Sequence, residues 1–310
     1  MQINQARLQL RQDLIPQYGE SEAGAIAAMV VEKLTGYRRA DLLIHGTEIL
    51  GDEQQQQFDR WMEELKAWKP VQYVLGECWF AGMPFQVDER VLIPRPETEE
   101  LVEWVRADFA SANPAGIRAH PHNEEAKADA PDHGPASKRG HPMILDIGAG
   151  SGCIAIALQK SIPGAEVWAV DVSRDALTIA SRNAEALSSV IHFRELDILN
   201  PRSWTEIPPM NLMVSNPPYI PRSDARAMRP NVLRYEPEMA LFVQDEDPLV
   251  FYRGIGELGL EKLLPEGSVY FELHEDLAEA ASDLMRGLGY ANLSMQKDIQ
   301  GKWRMLRASL

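Results

Sequence analysis

A chain of 310 residues is too long for one small domain and reads as two, at about 100 to 200 residues each. Charged residues at 25% and hydrophobic ones at 45% exclude collagen-like, disordered and membrane-spanning descriptions of the whole chain. Lys and Arg number 31 against 46 Asp and Glu, a formal charge of −15. Such a chain gains nothing from the phosphate counterion release that drives non-specific nucleic-acid binding. No direct nucleic-acid partner is expected, and a basic or neutral partner fits better.

Cys78 and Cys153 are the only cysteines and form no CxxC pair, so neither a disulfide framework nor a thiolate zinc site can be assembled. The opening residues, Met1 to Arg7, lack the apolar core and small-residue cleavage site of a signal peptide. No apolar run approaches the ~20 residues of a membrane span. A cytoplasmic protein without a membrane partner is expected.

Residues 1–70 read as a helical domain. Ala25, Ile26, Met29, Val30 and Leu34 recur at helical spacing until Gly36, and Phe58, Trp61, Met62, Leu65 and Trp68 do so until Pro70. Residues 71–95 read as a β-hairpin linker, in which aromatic and β-branched residues are punctuated by Gly76 and a Gly82-Met83-Pro84 turn. Residues 96–310 form the second domain. It opens with a helix at Pro96-Glu97-Thr98-Glu99, whose proline and acids suit a first helical turn, and which fades near Phe109. Residues 111–140 contain one large aliphatic residue, Ile117, too little to offset ordering entropy, and read as a disordered insertion. His120, His122 and His133, with His141 just beyond, raise a metal site; without flanking structure to fix the ligands they read as part of that loop, and no metal is expected.

From Met143 strand and helix patterns alternate. Strands are predicted at 143–147, 166–172, 191–196, 212–215 and 268–273, with helices at 152–160, 175–187, 248–264 and 276–288. Two strand-like segments around Met295 and Arg304 follow, separated by the short Gln300-Gly301-Lys302 turn. Alternation demands a mostly parallel sheet with helices on both faces, and a short turn lets the last two strands pair antiparallel at one edge. The fold class is therefore α/β, a seven-stranded Rossmann-like sheet carrying a small N-terminal helical domain joined by a β-hairpin.

The first of these strands runs into Asp146-Ile147-Gly148-Ala149-Gly150-Ser151-Gly152. Glycines at alternate positions between strand and helix let backbone approach a ligand, and free amides at the helix start favour a negative group. Asp171 sits at the tip of the next strand, where a carboxylate can take both hydroxyls of a ribose. Gly148, Ala149, Gly150, Ser151, Gly152 and Asp171 together indicate an adenosine-type cofactor. The dinucleotide fingerprint needs its third glycine at position 153, which is Cys153, so S-adenosylmethionine fits better. Asp197 closes the third strand, where its carboxylate can accept from an adenine amino group while Ile198 covers the ring; a loop-capping role competes for Asp197.

After the fourth strand comes Asn216-Pro217-Pro218-Tyr219. Strand carboxyl ends are where ligands lie in open parallel sheets. A planar conjugated NH2 is a poor nucleophile, so a site that methylates one must hold both hydrogens with acceptors and aim the nitrogen at the methyl group. The Asn216 side-chain oxygen and the Pro217 carbonyl can supply those acceptors. Pro217 and Pro218 rigidify the loop, and Tyr219 offers a face to stack on a planar substrate. Asn216, Pro217 and Tyr219 are the candidate catalytic residues, Pro218 joins them in binding substrate, and Asn216 also borders the cofactor.

These features carry a resemblance. The block Val91-Leu92-Ile93-Pro94-Arg95-Pro96-Glu97-Thr98-Glu99, the glycine turn, the Asn216 tetrapeptide with Ile220, and Tyr235-Glu236-Pro237 with Ala240-Leu241 resemble the protein-glutamine N5-methyltransferases that modify peptide chain release factors. Pro70, Gln72-Tyr73, Gly76, Phe80, Gly82 and Phe85 are similar to that family's hairpin. The resemblance implies a class I methyltransferase sheet, an N-terminal substrate-recognition domain, and transfer of a methyl group from S-adenosylmethionine to the glutamine of the Gly-Gly-Gln motif in class-1 release factors. A monomer is expected. The chain departs from the family where Glu-Ile-Gly is replaced by Glu272-Leu273-His274. Rival readings are a ribosomal-protein glutamine methyltransferase and a DNA adenine N6-methyltransferase, whose target is also a planar NH2; the −15 charge weighs against the latter.

Overall fold

The computed structural model describes residues 1–112 and 141–310, so the expected insertion and its three histidines lie outside the described residues apart from its first two positions. Ser111 and Ala112 belong to a helix that runs three residues beyond the predicted fade at Phe109.

The chain divides into two compact units. The first comprises Met1–Cys78 with Val87–Glu89 and Ala227–Glu236. It contains α1 (Ile3–Thr35), α2 (Asp41–His45), α3 (Asp52–Lys66) and α4 (Val71–Leu75). Its core is Leu10, Leu14, Ile26, Val30, Phe58 and Leu65. The buried face of α1 beyond its break is Ala23, Ile26, Ala27, Val30 and Val31, so Met29 of the predicted face is exposed. Pro16 and the positive φ of Gly19 interrupt α1, and Gly36, also at positive φ, ends it. Residues 227–236 include α8 (Pro230–Tyr235), tied to this unit where Arg229 meets Glu22 at 2.9 Å and the Tyr235 hydroxyl donates to the Ala67 carbonyl at 2.9 Å.

The hairpin consists of β1 (Glu77–Phe80) and β2 (Met83–Gln86). Its turn is Ala81-Gly82, both at positive φ, one residue before the predicted turn. Two left-handed residues suit the twist of a tight hairpin, which leaves Met83 and Pro84 on the strand. Val71–Leu75, expected within the hairpin region, makes one helical turn because Gly76 closes it at positive φ.

The second unit comprises Trp79–Gln86, Arg90–Arg226 and Pro237–Leu310. Its helices are α5 (Pro96–Ala112), α6 (Cys153–Ser161), α7 (Arg174–Ala186), α9 (Glu238–Leu241), α10 (Val250–Lys262) and α11 (Ala278–Leu288). Its sheet contains β3 (Met143–Ile147), β4 (Glu166–Asp171), β5 (Ile191–Glu195), β6 (Met210–Ser215), β9 (Leu263–Glu272), β10 (Asn292–Lys297) and β11 (Trp303–Ser309); β7 (Ile220–Pro221) and β8 (Phe242–Val243) pair separately. The order is β10-β11-β9-β6-β3-β4-β5. Only β11 runs antiparallel, against both β9 and β10, so the sheet is the expected seven-stranded, mostly parallel one.

All five residues of β3 are buried, as a strand covered on both faces must be. Met143, Leu145 and Ile147 pack with Ile255, Leu258 and Met285 of α10 and α11. Ile144 faces the other core, with Leu101 and Val105 of α5 and Ile154 and Leu158 of α6. From β3 the chain steps outward through β4 to β5 and then returns to the other side of β3 as β6. The direction of winding therefore reverses between β3 and β6, which opens a crevice at their carboxyl ends.

Candidate active site

A cleft occupies that crevice. Of the predicted site residues, Gly148, Gly150, Asp171, Asp197, Ile198, Asn216, Pro217 and Pro218 line it. Each follows or ends a parallel strand: β3 delivers the glycine turn, β4 Asp171, β5 the Leu196-Asp197-Ile198 segment and β6 Asn216. The Ser215 hydroxyl donates to the Ile147 carbonyl at 2.7 Å, locking the ends of β6 and β3 side by side.

Gly148, Gly150 and Gly152 all adopt positive φ, which L side chains rarely tolerate. Gly152 does something different from the other two. A Cβ there would lie 3.1 Å from the Ala180 Cβ, so its missing side chain lets α6 start close against α7. Ala149 and Ser151 turn into the protein and are buried, and the Ser151 carbonyl accepts from the Asn183 amide at 2.9 Å. These three shape the turn, and only Gly148 and Gly150 face the cleft.

Asp171 holds that turn. Its Oδ2 accepts from the Gly150 N–H at 2.9 Å and its Oδ1 from the Ser173 N–H at 2.8 Å. Burial raises its carboxyl above the usual carboxylate range, against the opposing pull of these backbone donors. Asp146, at the other side of the turn, is fully buried; its Oδ2 accepts from the Ala155 N–H at 3.0 Å. Burial, with the neighbouring Asp171 charge, pushes its carboxyl up to about 7. Asp197 is exposed and caps its own loop, its Oδ1 accepting from the Leu199 N–H at 2.9 Å, while it also borders the cleft. Ile198 is buried beside it, and Phe251 and Ile255 of α10 supply apolar lining that the sequence does not single out.

Tyr219 is placed away from the cleft lining. Its hydroxyl donates to Glu272 Oε1 at 3.0 Å, and its ring meets His274 edge-on at 6.0 Å. His274 itself caps a short turn, accepting from the Asp276 N–H at 3.3 Å. Glu272 ends β9 and is buried; its other oxygen accepts from the Thr98 hydroxyl at 2.6 Å. Thr98 in turn accepts from Asn216 Nδ2 at 3.0 Å. Burial raises the Glu272 carboxyl, opposed by its bonds from Thr98 and Tyr219 and by the Arg304 charge. Sequence reasoning missed Thr98 and Glu272 as parts of the site; the signal present for Thr98 was its place in the Val91–Glu99 block, and for Glu272 that it is the residue kept where the chain otherwise departs from Glu-Ile-Gly.

A glycine turn and an acid on neighbouring strands, at the winding reversal of an open parallel sheet and beside an Asn-Pro-Pro-Tyr loop, define a methyltransferase. A family model described as "Methyltransferase small domain" matches residues 136–233, and one described as "PrmC N-terminal domain" matches residues 3–76. A Flavobacterium psychrophilum protein named release factor glutamine methyltransferase is 38% identical over 309 residues, 100% of this chain and 99% of its own length. A Bacteroides thetaiotaomicron protein of the same name is 36% identical over 307 residues, 99% of this chain and 100% of its own. The chain belongs to the release factor glutamine methyltransferase family. The hMettl16 catalytic domain, solved in complex with MAT2A 3'UTR hairpin 6, shares the fold at a TM-score of 0.52 and 15% identity, over 83% of this chain and 82% of its own. Among the described residues no helix is long and apolar enough to cross a membrane.

Proposed function

We propose that this chain transfers the methyl group of S-adenosylmethionine to the side-chain amide nitrogen, N5, of the glutamine in the Gly-Gly-Gln motif of class-1 peptide chain release factors. The observation that carries this reading is that Asn216 and the glycine turn line one cleft from neighbouring strands. A methyl donor held on the turn and an amide held by the tetrapeptide then meet at short range.

The residues present fit such a cofactor. Gly148 and Gly150 bring bare backbone to the cleft, Asp171 retains lone pairs beyond those taken by Gly150 and Ser173, and Leu196, Ile198 and Phe251 offer apolar cover. When bound, the sulfonium supplies an electrophilic methyl group that needs no general acid. The work left to the chain is orientation. Asn216 Oδ1 and the Pro217 carbonyl accept the two hydrogens of the glutamine amide and aim its nitrogen along the transfer line. As the sulfur–methyl bond broke and its electron pair stayed on sulfur as a neutral thioether, the amide nitrogen would take the methyl group and release one proton to solvent.

The helical domain of residues 1–70 serves to recognise the release factor, since an amide pocket alone cannot choose the protein that carries the glutamine. The enzyme acts as a cytoplasmic monomer and takes no nucleic acid as substrate. The test is to incubate it with labelled S-adenosylmethionine and, separately, release factor, ribosomal proteins or DNA. A single methyl group on the Gly-Gly-Gln glutamine is expected; label on DNA or a ribosomal protein with none on release factor overturns the reading.

A further inference from the structure

Both ends of the Asn216-to-Tyr219 loop hang from one buried carboxylate. Glu272 Oε1 accepts from Tyr219, and Glu272 Oε2 accepts from Thr98 at 2.6 Å, whose oxygen accepts from Asn216 Nδ2. Donors and acceptors here can be counted. A threonine hydroxyl has one proton, and Glu272 in its ionised form, which the Thr98 and Tyr219 hydroxyls and the Arg304 charge favour against its burial, can only accept. The Thr98 proton is therefore committed to Glu272, and Thr98 can offer Asn216 nothing but a lone pair. Only the NH2 end of the Asn216 amide can meet it, which leaves Oδ1 as the end free to accept.

A glutamine at position 272 would satisfy the same hydroxyls without burying an acid, but it could donate as well as accept. It could give a proton to Thr98 and free the Thr98 proton for Asn216 Oδ1, turning the amide around. Glu272, 1% exposed, accepts at both oxygens, and in its ionised form it admits one arrangement where a glutamine admits two. We propose that Thr98 and Glu272 are positioning residues that set the polarity of Asn216, so that the loop presents an acceptor to an incoming NH2 group. The inference rests on the amide-methylation reading for its catalytic consequence, and on the hydrogen-bond geometry around an ionised Glu272 for the orientation.

The test uses the full chain as Thr98→Val, Thr98→Ser and Glu272→Gln variants. Thr98→Val keeps the shape and removes the hydroxyl. It is expected to fold with a lowered melting temperature, because Glu272 Oε2 loses its donor, and to retain cofactor affinity while kcat on release factor falls on the order of ten- to a hundredfold with little change in KM. Thr98→Ser recovers most of that loss. Glu272→Gln is expected to behave as Thr98→Val does; if it fails to fold, Thr98→Val decides. A folded Thr98→Val or Glu272→Gln with kcat within about twofold of the parent overturns the proposal. Hydrogen exchange of the Asn216 side-chain amide, followed by NMR, needs no acceptor and so separates this proposal from the substrate assignment. Slower exchange in the parent and Thr98→Ser than in Thr98→Val supports the orientation, and equal exchange in all three overturns it.

Discussion

Asp171 closes β4, yet its carboxylate accepts the backbone N–H of Gly150 at 2.9 Å, so the acid expected to hold a ribose also holds the turn expected to hold the rest of the cofactor. Losing it removes two things at once: an acceptor for the ligand and the brace that fixes the Gly148 to Gly150 backbone. Asp171→Ala is therefore expected to weaken cofactor binding on the order of ten- to a hundredfold, as loss of a charge-assisted bond of about 1.5 to 3 kcal/mol implies. Titration calorimetry on the folded variant checks it. Parent-like affinity would remove Asp171 from the site.

Asp146 makes stability depend on pH in an unusual direction. Burial pushes its folded carboxyl from 3.8 to about 7, so between these values the folded protein holds a proton that the unfolded chain has released. The contribution is fully present below the unfolded value and is lost as pH rises through about 7. Asp146→Asn keeps an oxygen for the Ala155 N–H and has no charge to bury. Relative to the parent it should gain stability on going from about pH 5 to about pH 8, measured by urea unfolding of the cofactor-free proteins. A difference that is the same at both pH values would show that Asp146 does not titrate in this range.

The strands that build the cleft were legible because periodicity and glycine spacing are local: β3 is Met143–Ile147 as predicted, and β4, β5 and β6 agree within two residues. The cleft residues of the turn and the tetrapeptide were legible for the same reason. What sequence could not reveal is which polar side chains meet across the fold. Thr98 and Glu272 are 174 positions apart, and Tyr219 and Glu272 are 53 apart. A threonine in the first turn of a helix and an acid at a strand end are each ordinary alone; only the sheet brings them together. In the sequence Tyr219 offers a stacking face because its ring is visible there, whereas Glu272, the acceptor for its hydroxyl, is not. The short helix Val71–Leu75 was missed since one turn is too brief to show a period.

Asn216→Ala separates binding from chemistry. The side chain borders the cleft but hangs on Thr98, so its removal should leave cofactor affinity near the parent value. Turnover should fall on the order of a hundredfold or more, the usual cost of one preorganised polar contact at a reacting group. Steady-state kinetics at saturating release factor and cofactor checks it. A kcat near that of the parent would defeat the proposed orientation of the glutamine amide.

The amide pocket selects a side chain, and something else must select the protein. A Gly-Gly-Gln loop presented as a short peptide offers the cleft everything that intact release factor offers there, and nothing to the helical unit. Release factors bind ribosomal RNA and should carry basic area, which an enzyme of charge −15 attracts. Intact release factor is therefore expected to be methylated with a much higher kcat/KM than the peptide. The difference should shrink with salt, because exposed charges more than about 8 to 10 Å apart are screened at physiological ionic strength. Raising salt from about 0.05 to about 0.3 M should increase KM for the intact protein while leaving that for the peptide nearly constant. If both substrates respond to salt alike, or if the peptide is methylated as efficiently as the protein, recognition lies in the cleft and the N-terminal unit has some other task.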